Sequence, residues 1–210
     1  MNSTRTSSDY PRAAVTGVVL AGGLGSRMGG IDKGLVTLAG QPMIAHVIAA
    51  LRPQVGELLI NANRNRVEYA ALGCRVVPDD LAGYPGPLAG FLSALRATET
   101  PYVLIVPCDA PLLPADLGAR LHAALVNDRA EIAAAHDGDR LHPVFALLTR
   151  GVEKSLADYL DAGERKAETW IKGQCLASVD FSDRPEAFAN VNRPEDRAAL
   201  ERRLRPPDPE

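Results

Sequence analysis

The chain has 210 residues, of which 46% are hydrophobic and 23% charged, and its formal net charge is -3 at pH 7. This length favours one domain with a sizeable core, the mild negative charge argues against a general nucleic-acid surface, and no apolar run is long enough to span a membrane. Three cysteines without a close pair predict reduced thiols in a cytoplasmic protein rather than a disulfide framework or a zinc ribbon. We expect a disordered polar arm at residues 1–14, a single domain at residues 15–203 and a frayed tail at residues 204–210.

Apolar runs alternate with helical patterns along the chain. The unbroken apolar run from Val15 to Leu20 predicts a strand buried on both faces, and a helix is predicted from Pro42 in its first turn to Pro53, which ends it. Further extended segments are predicted at residues 35–38, 58–60, 75–77, 102–106, 132–135, 144–148 and 176–181. The segment at 102–106 is the most apolar, so we place it near the centre of the sheet. The alternation predicts a Rossmann-like, three-layer α/β/α fold with a mainly parallel central sheet.

The loop after the first strand is rich in glycine and carries two cations, Arg27 and Lys33. Its glycines are Gly22, Gly23, Gly25, Gly29, Gly30 and Gly34. Glycine allows a ligand to approach the backbone closely, and successive exposed amides form a concave anion site to which the cations add charge. The loop therefore predicts a polyphosphate-binding site at the carboxyl end of the first strand.

Two better-known glycine motifs do not fit this loop. The dinucleotide fingerprint G-x-G-x-x-G begins at Gly23, but Met28 stands where its third glycine belongs, and Asn61 ends the second strand in place of an acidic residue. The Walker motif has its glycine spacing at Gly25 and Gly30, but Ile31 follows instead of lysine. A flexible linker is also disfavoured, because the loop joins a buried strand to an amphipathic helix and carries Arg27 and Lys33.

Polar side chains follow the other strands that are predicted to lie beside this loop. Asn61, Asp79 and Asp109 come after successive strands, and ligands bind at the carboxyl ends of strands in such sheets. A lone carboxylate after an apolar strand is costly to bury, and a hard cation would resolve that cost for Asp109; a helix N-cap is the alternative. Asp79 has an Asx turn with Asp80 as its alternative, and Asn61 and Asn63 fit strand-end turns about equally well.

The segment from Leu20 to Lys33 resembles a family signature. L-A-G-G-x-x-x-R-M-G-G-x-D-K is similar to the signature of nucleotidyltransferases that activate small molecules, and its D-K ending most resembles the molybdenum cofactor guanylyltransferases, also called molybdopterin-guanine dinucleotide synthases. The same family is matched, in order, by N-A-N-R at 61–64, D-D at 79–80, Y-P-G-P-L-A-G at 84–90, P-C-D at 107–109, H-P at 142–143 and N-V-N at 190–192. The resemblance covers residues 15 to 200 approximately and implies the nucleotidyltransferase version of the fold.

The resemblance implies roles for individual residues. A GTP site is implied at Leu20, Ala21, Gly22, Gly23, Lys33, Asn61, Asp79 and Asp109, with Asp109 holding Mg²⁺. Asn190 and Asn192 are implied to bind the pterin acceptor. We add Arg165 to the acceptor side because of its charge, although residues 164–166 are most simply a solvated charge cluster. Arg27, Lys33 and Asp109 form the predicted catalytic set.

These assignments predict transfer of GMP from GTP to the terminal phosphate of molybdopterin or Mo-molybdopterin, by direct in-line displacement and with release of pyrophosphate. One alternative is a sister nucleotidyltransferase that uses CTP or another nucleotide on molybdopterin or a sugar phosphate. Another is a nucleotide-binding or cofactor-carrier protein without catalysis. The expected partners are the two substrates and transient contacts with cofactor-biosynthesis proteins or molybdoenzyme chaperones, with no nucleic acid and no membrane, and a monomer is expected.

Other reactive side chains are interpreted more simply. Cys108 lies beside Asp109 as a potential nucleophile, but no partner base is evident, and buried cysteine is commonly a small hydrophobe. His136 and His142 flank a polar turn with a spacing that matches no standard metal site, so we prefer a substrate-side loop. His46 and His122 fall within helical patterns and are interpreted as surface or packing residues.

Overall fold

The structure is a computed structural model that describes residues 10–21, 32–80, 86–189 and 200–201. Its strands are β1 (Val15–Leu20), β2 (Thr37–Leu38), β3 (Gln41–Pro42), β4 (Glu57–Asn61), β5 (Arg75–Val77), β6 (Tyr102–Pro107), β7 (Ile132–His136), β8 (Leu141–Thr149) and β9 (Leu176–Asp180). Its α-helices are α1 (Met43–Leu51), α2 (Arg66–Ala70), α3 (Pro87–Ala97), α4 (Leu117–Asn127), α5 (Glu153–Asp161) and α6 (Ala167–Lys172). None of the described helices is long and apolar enough to cross a membrane.

Seven strands form one sheet in the order β5-β4-β1-β6-β8-β7-β9. The pairs β5–β4, β4–β1, β1–β6 and β7–β9 are parallel, and only β8 runs antiparallel to its neighbours. The reason is local, because a short polar turn joins β7 to β8 and leaves no room for the crossover that a parallel pair needs. The predicted mainly parallel sheet is confirmed, with β6 at its centre.

Two apolar layers cover the faces of the sheet, which confirms the three-layer prediction. Val15 and Val19 of β1 point into a core that α1 and α4 cover, whereas Val18 points into a second core covered by α3, α5 and α6. The chain leaves β1 for β4 and β5 on one side and returns to β6 on the other. The strand order therefore reverses next to β1, and ligands bind at such a point in open α/β sheets.

Two local predictions of secondary structure, for residues 10–14 and for residues 35–38, needed correction. Arg12–Ala14 form a short 3-10 helix, and the ring of Tyr10 packs edge-on against His122, so the predicted disordered arm is wrong for residues 10–14. The extended piece predicted at 35–38 is shorter, because Lys33–Leu35 form a 3-10 helix that Asp32 caps. Residues 1–9 and 202–210, and therefore the predicted tail, lie outside the described residues.

Candidate active site

A cavity of about 240 Å³ opens at the carboxyl ends of β1, β4, β5 and β6. It is lined by Leu20, Asn61, Asp79, Gly86, Pro87, Gly90, Pro107 and Val144. Leu20 is the register partner of both Asn61 on β4 and Pro107 on β6, so the cavity spans the point where the strand order reverses. Three of the predicted nucleotide-binding residues therefore share one cavity at the expected edge of the sheet.

Asp79 is the centre of a hydrogen-bonded cluster at one end of the cavity. Asn61 Nδ2 donates to Asp79 Oδ1 at 2.9 Å and to the carbonyl of Val77 at 3.2 Å, while Asn63 Nδ2 donates to Asp79 Oδ2 at 2.7 Å. Asn63 Oδ1 accepts from the Asp79 backbone amide at 2.8 Å. The amide of Asp80 donates to Ser93 Oγ at 2.9 Å. The amide that would close an Asx turn of Asp79 belongs to residue 81, which lies outside the described residues. Long-range pairing between the ends of β4 and β5 thus holds Asn61, Asn63 and Asp79 together.

Gly86, Pro87 and Gly90 form the wall beside this cluster. Gly86 has φ 122° and ψ 172°, a conformation reserved for glycine, and Pro87 occupies the first turn of α3, where its missing N–H costs nothing. At Gly90 a Cβ atom would lie 2.4 Å from Asn61 Oδ1 and 2.9 Å from Leu20 Cδ2. Gly90 is therefore required for α3 to approach the Asn61 amide, a role that the motif alone did not reveal.

Val144 enters the cavity through an irregularity in β8. Ala134 of β7 pairs with Ala146 and Ala135 pairs with His142, so β8 carries residues 143–145 without counterparts on β7. Pro143 lies in this bulge, where it does not have to donate a ladder hydrogen bond. The sequence offered no signal for Val144 beyond the neighbouring H-P match, because the bulge depends on the pairing of two strands.

Lys33 and Asp109 form an ion pair that the structure brings together from distant parts of the chain. Lys33 Nζ lies 3.3 Å from Asp109 Oδ2, and the Asp109 side chain is only 11% exposed. Asp109 follows β6 in a turn, and the next helix starts at Leu117 with Asp116 at its N-cap, so the N-cap alternative for Asp109 is wrong. The predicted phosphate-binding lysine and the predicted metal-binding carboxylate therefore lie side by side.

The donor set around Asp109 fits Mg²⁺ better than a metal that needs a protein cage. Within the described ranges, no group of three or more His, Cys, Asp or Glu side chains is arranged to hold a metal. Mg²⁺ commonly takes one or two carboxylates and fills its remaining positions with phosphate oxygens and water. A single, nearly buried carboxylate next to a cation at a strand end suits that pattern, in which the nucleotide supplies the other ligands.

Cys108 is unsuited to be a nucleophile. The residue is 8% exposed, and burial raises the pKa of its thiol, with a further increase from the negative charge of Asp109. The thiolate is the reactive form, and this environment disfavours it. The interpretation of Cys108 as a small buried hydrophobe is confirmed.

His142 lies in a packed cluster on the far side of the bulge. Its Nε2 is 2.7 Å from Asp137 Oδ2, and its ring stacks on Phe188 with centroids 4.9 Å apart. The backbone amides of Asp139 and Arg140 donate to Asp137 Oδ1 at 2.9 and 2.8 Å. The Arg140 amide and then His142 hold the pKa of the Asp137 carboxyl well below its ordinary value. His142 thus fastens the β7–β8 turn to the segment that precedes the N-V-N motif.

Arg165 lies beside the wall of the cavity. Its guanidinium donates to the carbonyls of Leu160 at 2.8 Å and Glu164 at 2.5 Å. Its own carbonyl is 3.8 Å from the position that a Cβ atom on Gly86 would take.

Of the predicted site residues, Gly22, Gly23, Arg27, Asn190 and Asn192 lie outside the described residues. The two histidines assigned to surface or packing positions do pack internally: His46 Nε2 lies 2.8 Å from the carbonyl of Leu38, and His122 meets Tyr10 and Tyr102 edge-on.

Comparison with known proteins agrees with this geometry. Residues 17–179 match the family model of the MobA-like NTP transferase domain. The molybdenum cofactor guanylyltransferase of Shewanella sediminis is 50% identical over 186 residues, which cover 89% of this chain and 95% of that protein. The enzyme of the same name from Shewanella pealeana is 50% identical over 188 residues, with 90% and 94% of the two chains covered.

Solved structures share the fold at much lower identity. Molybdopterin-guanine dinucleotide biosynthesis protein A from Archaeoglobus fulgidus superposes with a TM-score of 0.74 at 20% identity, over 89% of this chain and 97% of that one. 4-Diphosphocytidyl-2C-methyl-D-erythritol synthase from Anaerococcus prevotii gives a TM-score of 0.71 at 9% identity, over 90% and 95%. The fold, the arrangement of the site and the match over most of the domain lead to one conclusion: the chain belongs to the family of MobA-like NTP transferases.

Proposed function

We propose that the protein transfers GMP from GTP to the terminal phosphate of molybdopterin or Mo-molybdopterin, giving a molybdopterin guanine dinucleotide cofactor and pyrophosphate. The observation that carries the proposal is that the Asn61–Asp79 cluster and the Lys33–Asp109 pair lie at the same edge of the sheet. Leu20 pairs with Asn61 on one side and Pro107 on the other, and two strand spacings amount to about 10 Å. A nucleotide reaching from base to phosphates would span this distance.

The chemistry of Asp79 supports a guanine base. A carboxylate has roughly four lone-pair sites, and among the described residues Asn61 donates to one Asp79 oxygen and Asn63 to the other. The remaining sites are acceptors only. Guanine presents two adjacent N–H donors on its Watson–Crick edge, whereas cytosine presents a single amino group there. Asp79 and the asparagines that orient it therefore favour GTP over CTP.

The Lys33–Asp109 pair supports nucleotidyl transfer over simple binding. A divalent cation serves this family of reactions, and we propose Mg²⁺ held by Asp109 because of the donor set described above. When bound, that ion would neutralise charge at the phosphoryl group that is transferred. Lys33 would turn its ammonium from Asp109 to the triphosphate and stabilise the charge that develops on the leaving pyrophosphate, with Arg27 and the loop amides assigned the same task.

The acceptor needs no activation by a base. Its terminal phosphate is anionic at neutral pH, so it can attack directly once it is aligned, and the buried Cys108 has no part in the reaction. Arg165 beside the cavity, with Asn190 and Asn192, is the proposed acceptor side. A monomer with transient contacts to cofactor-biosynthesis proteins or molybdoenzyme chaperones is also proposed, and the three free thiols support a cytoplasmic location.

The decisive experiment measures pyrophosphate release and dinucleotide formation from molybdopterin with GTP, CTP or ATP in the presence of Mg²⁺. We expect product with GTP, and at least a 100-fold loss in Lys33→Ala, which removes a charge that stabilises the transition state. Lys172→Ala is the matched control, because Lys172 is exposed and pairs with Glu168 on α6. Preferential use of CTP would establish the sister activity, and nucleotide binding without transfer would establish a carrier.

A further inference from the structure

Asp32 is a buried carboxylate on which four groups converge. It is only 9% exposed, although it comes directly before Lys33. Its Oδ1 accepts hydrogen bonds from the Tyr69 hydroxyl at 2.5 Å and from the Gly34 amide at 3.2 Å. Its Oδ2 accepts from Asn65 Nδ2 at 2.9 Å and lies 3.8 Å from Arg64 Nε. An ionised carboxylate needs such a set of donors to remain buried.

The groups that hold Asp32 are themselves fixed by the fold. Tyr69 of α2 is completely buried, and burial together with its bond to Asp32 raises the pKa of its hydroxyl, which therefore stays protonated and keeps donating. Asn65 precedes α2 in the left-handed conformation, with φ 50° and ψ 35°. That conformation carries a modest cost for a residue with a side chain, so the surroundings must enforce it. Asp32 is thus tied to a rigid element of the core.

A helix cap alone does not account for this arrangement. Capping the 3-10 helix at Lys33–Leu35 requires only the bond from the Gly34 amide. The second oxygen of Asp32 and the Tyr69 hydroxyl would then be superfluous. The helix is also pressed onto Tyr69, because a Cβ atom on Gly34 would lie 2.6 Å from the Tyr69 oxygen. Lys33 therefore sits between two residues that the same tyrosine holds in place.

One short segment connects Asp32 to the base side of the cavity. Asn61 and Asn63 bind Asp79, whereas Arg64 and Asn65 contact Asp32. Five consecutive residues, 61–65, thus hold one carboxylate at each side of the site. This segment fixes the backbone of Lys33 relative to the cavity, while the Lys33 ammonium reaches Asp109 at 3.3 Å.

We propose that Asp32 is a positioning residue for Lys33. Held by Tyr69 and Asn65, it sets the direction of the Lys33 side chain toward Asp109 and hence toward the triphosphate of a bound nucleotide. The reaction readout for this inference rests on the proposed function, but the nucleotide-binding readout does not.

A double-mutant cycle between Asp32→Asn and Lys33→Ala tests the inference. The kinetic constants of GMP transfer and the Kd of Mg–GTP from calorimetry are measured for all four proteins. Misplacing a catalytic group by about 1 Å can cost on the order of 100-fold in rate, so Asp32→Asn alone should lower kcat by about 10- to 100-fold. In the Lys33→Ala background it should cost less than roughly twofold, because the group that it positions is already gone.

A purely structural Asp32 would give a different result. Partial unfolding or general loosening would lower activity by the same factor whether or not Lys33 is present, and such additivity would overturn the inference. Should Asp32→Asn fail to fold, Tyr69→Phe replaces it in the cycle, since that variant removes the hydroxyl and keeps the buried ring. Its effect should also disappear in the Lys33→Ala background, and persistence there would count against the inference.

Matched controls and the binding readout separate this inference from the proposed function. Tyr102→Phe and Asp158→Asn make the same chemical changes at the first residue of β6 and on the exposed face of α5, and both should leave kcat and Kd unchanged. If the wild type binds Mg–GTP but transfers no GMP, the proposed function fails. The cycle on Kd then still decides the role of Asp32, with a coupling between Asp32 and Lys33 supporting it and additivity overturning it.

Discussion

Gly90→Ala should weaken GTP binding without unfolding the protein. Gly90 lies in the first turns of α3 and faces the Asn61 amide across the cavity wall. The added Cβ would lie 2.4 Å from Asn61 Oδ1, whereas ordinary contacts begin at 3.4 Å, so the amide would have to retreat by the difference of 1.0 Å. The side chain of Leu20, 2.9 Å from the same position, leaves little room for α3 to shift instead.

The magnitude follows from the bonds that Asn61 would lose. Its Nδ2 donates at 3.2 Å to the Val77 carbonyl and at 2.9 Å to Asp79 Oδ1, and a 1 Å displacement away from either partner exceeds hydrogen-bond range. GTP binding would have to return Asn61 and Asp79 to this geometry, so the complex of the variant bears a cost of about 1–3 kcal/mol. At about 1.4 kcal/mol per tenfold, the Kd of Mg–GTP should rise by roughly 5- to 100-fold. Alanine is favoured over glycine within a helix by about 1 kcal/mol, which offsets part of the strain in the free protein.

Calorimetry with Mg–GTP and a thermal melt of the free protein check this prediction together. Gly118→Ala is the matched control: it is also a helical glycine, and its Cβ would lie 2.3 Å from the Tyr10 hydroxyl, but neither Tyr10 nor its other close neighbour Leu104 lines the cavity. Gly118→Ala should lower the Tm and keep the wild-type Kd. Wild-type affinity in Gly90→Ala would refute the reasoning, because it would mean that the orientation of Asn61 does not matter for the base.

Three further predictions concern Asp137, the cysteines and the Lys33–Asp109 pair. Because the pKa of Asp137 is lowered from its ordinary 3.8, its stabilisation is complete above that pH and is lost as the pH falls below it. Asp137→Asn should therefore be less stable than the wild type at neutral pH by about 1–3 kcal/mol. Its free energy of unfolding, measured in urea, should depend less on pH below 3.8 than that of the wild type. Parallel plots of unfolding free energy against pH for the two proteins would contradict this. Iodoacetamide should label exposed Cys175 quickly and buried Cys108 slowly, as followed by mass spectrometry. Cys108→Ala should retain GMP transfer, and a loss of turnover in that variant would support Cys108 as a nucleophile. Lys33→Ala should bind Mg²⁺ alone more tightly than the wild type in calorimetry, since an ammonium no longer lies 3.3 Å from Asp109 Oδ2; unchanged or weaker binding would argue against Asp109 as the metal ligand.

The central sheet was predictable because its strands carry their own signal. The run at Tyr102–Pro107 is apolar on both faces, which predicted the central position that it has between β1 and β8. The antiparallel course of β8 follows from the short turn before it. The bulge at residues 143–145 was not predictable, since it results from the register between β7 and β8 rather than from any local pattern. For that reason Val144, which lines the cavity, was not identified from the sequence.

The sequence predicted which residues form the candidate site, but not the contacts between them. The rule that ligands meet the carboxyl ends of strands gathered Asn61, Asp79 and Asp109, yet each had a local alternative. The partners that these side chains have in the structure are remote in the chain: Asp79 lies 16 and 18 residues from Asn63 and Asn61, and Lys33 lies 76 residues from Asp109. No helical or strand period carries information over such separations, so only the folded structure or a family resemblance could choose.

Asp32 shows how these two kinds of information combine. The family resemblance placed it in a signature without giving it a task. Its donors Asn65 and Tyr69 come from 33 and 37 residues away, at the end of the segment that also holds the base-side cluster and on the helix that follows it, so the structure reveals a connection between the two ends of the site. A nucleotide bound across that segment would contact both ends at once. The proposed base recognition at Asp79 and the proposed phosphate contact at Lys33 would therefore share one rigid support, which would give the lysine that ends the glycine-rich segment a defined direction.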